Sequence, residues 1–315
     1  MGATGIVALM LLSTRHPRVF CLLLAALAVA VPGCRRPPAP GPAPAAAAAP
    51  IAAETPPSET PPSETPQVTL TATAEPAAVA PGGTVTVAWR LAATPGWHFY
   101  WDGRNDSGFA PRQKLFLPAG WTAGPLQWPA PERLVSPGDI LDHVYHDEVV
   151  LLQDVTAPRA GGAPARVELR ADWQWLACKE SCVPGRDSLA VAVTVDAAAA
   201  PAPPSPEFTA VRSRLPRPLP SGVVTTTWEG ATLRIARPAG TSGGRLTFMP
   251  AVDCAELSDL LNDGEGQGLA LHLSPLAGRT GPVRGLLLVE DPGVAPRAYT
   301  LDIPGIAINP QTTGG

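Results

Sequence analysis

Cys178 and Cys182 are separated by three residues in Trp175-Leu-Ala-Cys178-Lys-Glu-Ser-Cys182-Val-Pro-Gly185. Two thiols this close can form a disulfide that opens and closes by exchange with a partner thiol. They can also close a small static cross-link. With His143 and His146, which form His-x-x-His, they could instead make a Cys2His2 zinc set. The bland reading of those two histidines is ordinary surface residues.

Chain geometry limits the pair. A disulfide holds Cα atoms roughly 4.4–6.8 Å apart, whereas residues four apart on a straight strand lie about 13 Å apart. Lys179-Glu180-Ser181 must therefore form a turn or a single helical turn. Val183-Pro184-Gly185 is then expected to turn the chain again before a strand at Ser188, which puts the pair on a bent hairpin at the end of a sheet. So small a loop restricts the unfolded chain little, which weighs against a purely structural staple. Lys179 would favour the thiolate and Glu180 would oppose it. Spacing alone leaves exchange, metal binding and a static disulfide open.

The elements that position the pair come next. Val68–Thr73, Thr84–Leu91, Lys114–Leu117, Glu148–Leu152, Ala165–Ala171 and Ser188–Val195 read as strands separated by Gly/Pro/Asp-rich turns. They predict an antiparallel, immunoglobulin-like β-sandwich over 67–197. Trp173 and Trp175 would share one face of a strand beside Cys178. Seven of the eight tryptophans lie between Trp89 and Trp175; a large aromatic core is the expected use of most of them. A linker follows at 198–206. A short helix at Glu207–Leu215 and six more strand candidates then predict a second, smaller β-domain over 207–310. The fold class is all-β. Cys254 has no partner in that second domain and is expected to be buried.

The N-terminus reads as an export signal. A basic stretch, Arg15-His-Pro-Arg18, precedes an apolar run from Val19 to Val31, which is too short to span a bilayer and fits a secretory signal. Val31-Pro-Gly-Cys34 resembles a bacterial lipobox, with Cys34 as the lipid attachment site. Residues 1–34 are thus a signal peptide with lipobox. Residues 35–66, rich in proline and alanine and carrying a repeated Glu-Thr-Pro-Pro-Ser unit, are a disordered tether. The expected location is periplasmic, as a lipoprotein on the outer membrane, with contact to the membrane through the N-terminal lipid only. A net charge of −4 without a basic patch gives no sign of nucleic-acid binding.

Several blocks in order carry a family resemblance: Pro95-Gly-Trp-His-Phe-Tyr-Trp101, Asn105-Asp-Ser-Gly108, Leu117-Pro-Ala-Gly-Trp121, Leu126-Gln-Trp-Pro-Ala-Pro-Glu-Arg133, Val144-Tyr-His-Asp-Glu-Val-Val-Leu151 and Asp172-Trp-Gln-Trp-Leu-Ala-Cys178-Lys-Glu-Ser-Cys182-Val-Pro184. This segment resembles the N-terminal periplasmic domain of DsbD, the thiol:disulfide interchange protein, and of its longer relatives such as ScsB. The resemblance implies an immunoglobulin-like sandwich with the cysteine pair on an inserted hairpin. It implies a thiol:disulfide oxidoreductase of the protein-disulfide reductase type, and a link to cytochrome c biogenesis. Cys182 would form the mixed disulfide and Cys178 would resolve it. A cap loop near Leu134–His143 would cover the pair, with Asp139, Ile140 and Leu141 as candidate cap residues. No cofactor and no metal is implied. The partners would be thioredoxin-like periplasmic proteins and a separate membrane electron-transfer protein, because the 315 residues hold neither a membrane-embedded conduit nor a thioredoxin-like domain. The competing reading is a non-catalytic β-sandwich lipoprotein that binds or scaffolds a partner, its disulfide static.

Overall fold

The computed structural model describes residues 67–159, 165–200, 202–241, 244–276 and 278–308. The signal, Cys34 and the tether lie outside them. The first part of the chain supplies eleven strands: β1 (Val68–Glu75), β2 (Ala78–Val79), β3 (Thr84–Ala93), β4 (His98–Tyr100), β5 (Arg112–Phe116), β6 (Thr122–Gln127), β7 (Glu132–Ser136), β8 (Ile140–His146), β9 (Glu148–Thr156), β10 (Ala165–Cys178) and β11 (Cys182–Val195). One sheet has the order β1-β3-β9-β6 and the other β2-β11-β10-β4-β8-β7, with β5 also pairing β10. This is the immunoglobulin-like sandwich, and the cysteine pair sits on its second sheet.

Period-two alternation builds its core. On β3, Val85, Val87, Trp89 and Leu91 are fully buried; on β10, Leu169, Ala171, Trp173 and Trp175 face them from the other sheet. Trp89 and Trp173 meet with ring centroids 5.9 Å apart. Trp89 also donates from Nε1 to Gln153 Oε1 at 3.1 Å, which satisfies its one polar atom. Six of the seven clustered tryptophans are buried, so the aromatic-core expectation holds.

Strands β4, β6, β7 and β8 carry no clear alternation in the sequence. In β8, Leu141, Asp142, His143, Val144 and Tyr145 are all buried because both faces are covered, and a strand covered on both faces loses its period-two pattern. In β6, Gly124 and Pro125 interrupt the run, and its register against β9 shifts between Ala123 and Leu126.

The second, smaller β-domain opens with α1 (Pro206–Ser213). Ser205 caps this helix, its Oγ accepting from the Phe208 N–H at 3.3 Å, and Pro206 takes the first helical position. The strands are β12 (Arg217–Pro218), β13 (Thr225–Glu229), β14 (Thr232–Ala236), β15 (Arg245–Pro250), β16 (Glu265–Gly266), β17 (Gly268–His272), β18 (Val283–Glu290) and β19 (Arg297–Ile303), with α2 (Leu260–Asp263) before β16. They form sheets of order β12-β19-β18-β15-β16 and β13-β14-β17. Leu246 and Phe248 of β15 and Leu287 and Val289 of β18 face this domain's own core. Met249 and Leu286, on the opposite face of the same pair of strands, join the core of the first sandwich.

Polar contacts reinforce that junction. Arg104 donates to the Cys254 carbonyl and pairs with Glu256 at 3.2 Å. Arg133 donates to the Leu261 carbonyl at 2.6 Å and pairs with Glu265 at 3.5 Å. Phe208 of α1 packs with Ala88 and Leu152 on the outer face of the β1-β3-β9-β6 sheet. Among the described residues no helix is long and apolar enough to cross a membrane.

Candidate functional site

Cys178 and Cys182 form a disulfide with Cα atoms 4.1 Å apart. They are the last cross-strand pair of a ladder that runs without a break from Ala165↔Val195 to Cys178↔Cys182. Lys179, Glu180 and Ser181 make the connection, closed by a bond from the Lys179 N–H to the Ser181 carbonyl at 3.2 Å. The expected hairpin is present, but it is straighter and longer than the sequence suggested. Val183, Pro184 and Gly185 do not turn the chain; they pair with Ala177, Leu176 and Trp175 inside β11. Gly185 is required there because the Trp175 indole lies over it: a Cβ would stand 2.4 Å from Trp175 Nε1.

The two sulfurs have different surroundings. Cys178 is 2% exposed and packs with Tyr100, Val144, Leu134 and Leu176, whereas Cys182 is exposed. Alternation explains this placement. Trp173, Trp175 and Ala177 point into the core, so Cys178 points to the other face of the sheet. Cross-strand partners share a face, and the register builds the site from them: Cys178 opposite His98, His98 opposite His146, Tyr100 opposite Val144, and Asp142 opposite Leu134.

A loop after β4 crosses over this face. Its Gly108 lies against the Tyr100 ring, where a Cβ would stand 2.1 Å from Cζ, so no larger residue fits without moving the ring. Next to it, Ser107 binds Asp142 twice, through its N–H to Oδ1 at 3.0 Å and its hydroxyl to Oδ2 at 2.5 Å. The Tyr100 hydroxyl lies 3.0 Å from Ser107 Oγ and 3.6 Å from Cys182 Sγ. Burial raises the pKa of the Tyr100 phenol and the charge of Asp142 adds to that rise, while the hydrogen bond with Ser107 works against it. Burial lowers the pKa of His98, and His146 lowers it further.

These features describe a disulfide held at a sheet end, with Cys182 exposed and Cys178 buried behind it. Residues 66–194 match the family described as thiol:disulfide interchange protein DsbD, N-terminal. The first sandwich is a DsbD N-terminal-type domain. The crystal structure of the N-terminal periplasmic domain of ScsB from Proteus mirabilis is also similar, at 16% identity with a TM-score of 0.47, over 75% of this chain and 93% of that one. No curated protein matches the chain.

Within this DsbD-type domain the sequence-expected residues fall in three places. Cys178 and Cys182 are together. Asp139 lies in the turn between β7 and β8, at φ 61°, and Ile140 and Leu141 open β8 opposite Ser136 and Val135. Leu141 is buried and its N–H donates to Asp106 Oδ2 at 2.7 Å. Asp139 and Leu141 line a cavity of about 280 Å³, together with Arg104, His143 and residues 256–261 of the second domain. From the same hairpin it is Leu134 that packs against Cys178. Cys34 lies outside the described residues.

The histidines depart from expectation. His146 is exposed, 3.8 Å from Glu132. His143 is 1% exposed rather than a surface residue, because the loop carrying Arg104 and Asn105 covers it. Its Nδ1 lies 2.8 Å from the Arg104 carbonyl, and burial lowers its pKa. The Cys2His2 arrangement does not form. Among the described residues no group of three or more His, Cys, Asp or Glu side chains is placed to hold a metal ion.

Sequence reasoning missed Tyr100, Ser107 and Asp142 as neighbours of the disulfide. The available signal was the pair of blocks Pro95–Trp101 and Asn105–Gly108, whose tyrosine and glycine fit one over the other.

Proposed function

We propose that the protein relays reducing equivalents through a reversible Cys178–Cys182 disulfide, between a membrane electron donor and periplasmic thioredoxin-like proteins. The observation that carries this reading is the asymmetry of the pair: Cys182 is exposed and Cys178 is buried behind it. A donor thiolate can reach only Cys182 Sγ. Its attack forms a mixed disulfide, breaks the Cys178–Cys182 bond and releases Cys178 as a thiolate. The donor's second thiolate then attacks the mixed disulfide. The donor leaves as a disulfide, and two electrons and two protons remain on this domain as the dithiol. In the onward step the Cys182 thiolate attacks a substrate disulfide. The Cys178 thiolate then attacks Cys182 Sγ, reforms the internal disulfide and expels the substrate as a dithiol.

The same reading takes Cys34 as the lipid anchor, residues 35–66 as the tether, and residues 67–197 and 207–310 as the two domains. It makes the chain a periplasmic lipoprotein of the outer membrane. The segment of Asp139, Ile140 and Leu141 serves as a cap that partners displace.

Alkylation of the purified protein across thiol redox buffers tests the proposal. Half-reduction is expected above about −300 mV, since structural disulfides lie below that value. Resistance throughout that range would leave the non-catalytic lipoprotein. The Cys178→Ser variant should accumulate mixed disulfides through Cys182 with thioredoxin-like proteins, and a variant that traps none contradicts the relay.

A further inference from the structure

The polar chain beside the disulfide has a direction. The Ser107 hydroxyl donates to Asp142 Oδ2, so its proton is committed. Ser107 Oγ can then only accept from Tyr100, and the Tyr100 hydroxyl proton points toward Ser107. That leaves a lone pair of Tyr100 Oη facing Cys182 Sγ at 3.6 Å. A lone pair there accepts from a thiol S–H and repels a thiolate. Asp142 is 1% exposed, and Ser107 holds it by two hydrogen bonds that fix its position under the chain.

We infer that the Tyr100–Ser107–Asp142 chain holds reduced Cys182 as a protonated thiol, so that the resting dithiol is a poor nucleophile until a docking partner disturbs the chain. This inference rests on the exchange reading above and assigns Tyr100 a contact with the reacting sulfur, with Ser107 and Asp142 as positioning residues. The thiolate carries the nucleophilicity of a cysteine, so a site that favours the thiol also resists small oxidants. The raised pKa of the Tyr100 phenol keeps its proton available to Ser107 across the physiological range. Other groups facing the pair enter the same balance. His98 lies opposite Cys178 and His146 lies opposite His98. Lys179 and Glu180 flank the pair on the connection, with Lys179 Cε 3.6 Å from where a Cβ would sit on Gly96. Burial lowers the pKa of His98 and His146 adds to that, against the pull of Asp142, so a positive charge on His98 beside the pair is disfavoured.

The test is the pH dependence of iodoacetamide alkylation at Cys182, followed by peptide mass spectrometry in the full chain. A Cys178→Ala background keeps Cys182 reduced. Adding Tyr100→Phe or Asp142→Asn should move the alkylation midpoint to lower pH and raise the rate at pH 7 by ~3–10-fold, as a thiol shifted by half a unit to one unit would. Ser107→Ala, which breaks the chain while keeping the Asp142 charge, should give a smaller rise in the same direction. No shift in any of the three, or a shift to higher pH in Tyr100→Phe, overturns the inference; the latter would mean that the phenol donates to the thiolate. The near-ultraviolet circular dichroism spectrum of each variant identifies one that fails to fold, and the remaining two then decide. Because Cys178 is absent, the result is independent of whether the wild-type disulfide exchanges with partners.

Discussion

The two β-domains each place a cysteine at a strand end or loop, and they treat it in opposite ways. In the first, the β10–β11 hairpin carries Cys182 out to solvent with Cys178 buried behind it. In the second, Cys254 is 4% exposed, joins the apolar core and lies beside the junction where Arg104 binds its carbonyl. Burial raises the pKa of the Cys254 thiol, and the hydrogen bond with the Arg284 backbone and the charge of Arg104 only partly offset that. The same side chain is thus presented to solvent in one region and used as a small apolar filler in the other. On the proposed relay, redox chemistry follows from the hairpin end, not from cysteine content.

The largest expected effect separates these two roles. Cys182→Ser should abolish exchange with a thioredoxin-like dithiol, a loss of at least ~10³-fold, because no other sulfur is exposed among the described residues. Cys254→Ser should leave the exchange rate unchanged, and mass spectrometry should find Cys254 unalkylated until the protein is unfolded. Rapid alkylation of native Cys254 would erase the contrast.

Core substitutions sharpen it next. Trp173 is fully buried against Trp89, whereas Trp228, the tryptophan of the second domain, is only half-buried at the edge of its core. Trp173→Ala should cost about 3–5 kcal/mol in urea unfolding, and Trp228→Ala about 1–2 kcal/mol. Equal losses would mean that the first core is not the stronger one. Reduction of the disulfide should matter less than the loss of Trp173. A loop this short gives about 2 kcal/mol by the entropy relation, against about 4.7 for a 100-residue loop. The urea midpoint of the reduced protein, measured against the oxidised one, checks this.

A pH effect is expected to be smaller. His98 and His143 are buried in the first domain and both have lowered pKa values, chiefly from desolvation, whereas His272 in the second domain is exposed. As pH falls, the unfolded chain takes up these protons first. The stability the neutral histidines contribute is therefore complete above about 6.5 and declines as pH falls through the lowered folded values. Melting temperatures between pH 8 and pH 5 should fall, and His98→Gln should flatten the curve.

Much of this arrangement was legible in the residues, and the illegible parts have physical causes. Val68–Thr73 and Thr84–Leu91 alternate because one face of each is covered, so their strands stood out. The β8 run Ile-Leu-Asp-His-Val-Tyr-His carries no period because both its faces are covered, and with it His143 was misplaced to the surface. Pro184 and Gly185 look like a turn, yet β11 passes through them. The glycine makes room for the Trp175 ring, and that requirement depends on a residue ten positions away across the hairpin. The cysteine pair needed only spacing and a family resemblance. Tyr100, Ser107 and Asp142 come from three separate segments, and only the register of β4 with β8 and the loop over Gly108 bring them to one sulfur.

The disulfide is the terminal rung of a long ladder. The thirteen other rungs hold the hairpin whether or not that rung is closed. The hairpin is therefore expected to keep its shape when that rung opens, and on the proposed relay Cys182 is its point of contact with either partner. On the proposed relay, electron donor and electron acceptor would take turns there, as two substrates do in a ping-pong enzyme. An excess of either partner should then inhibit the relay, and throughput should depend on how quickly the spent partner departs.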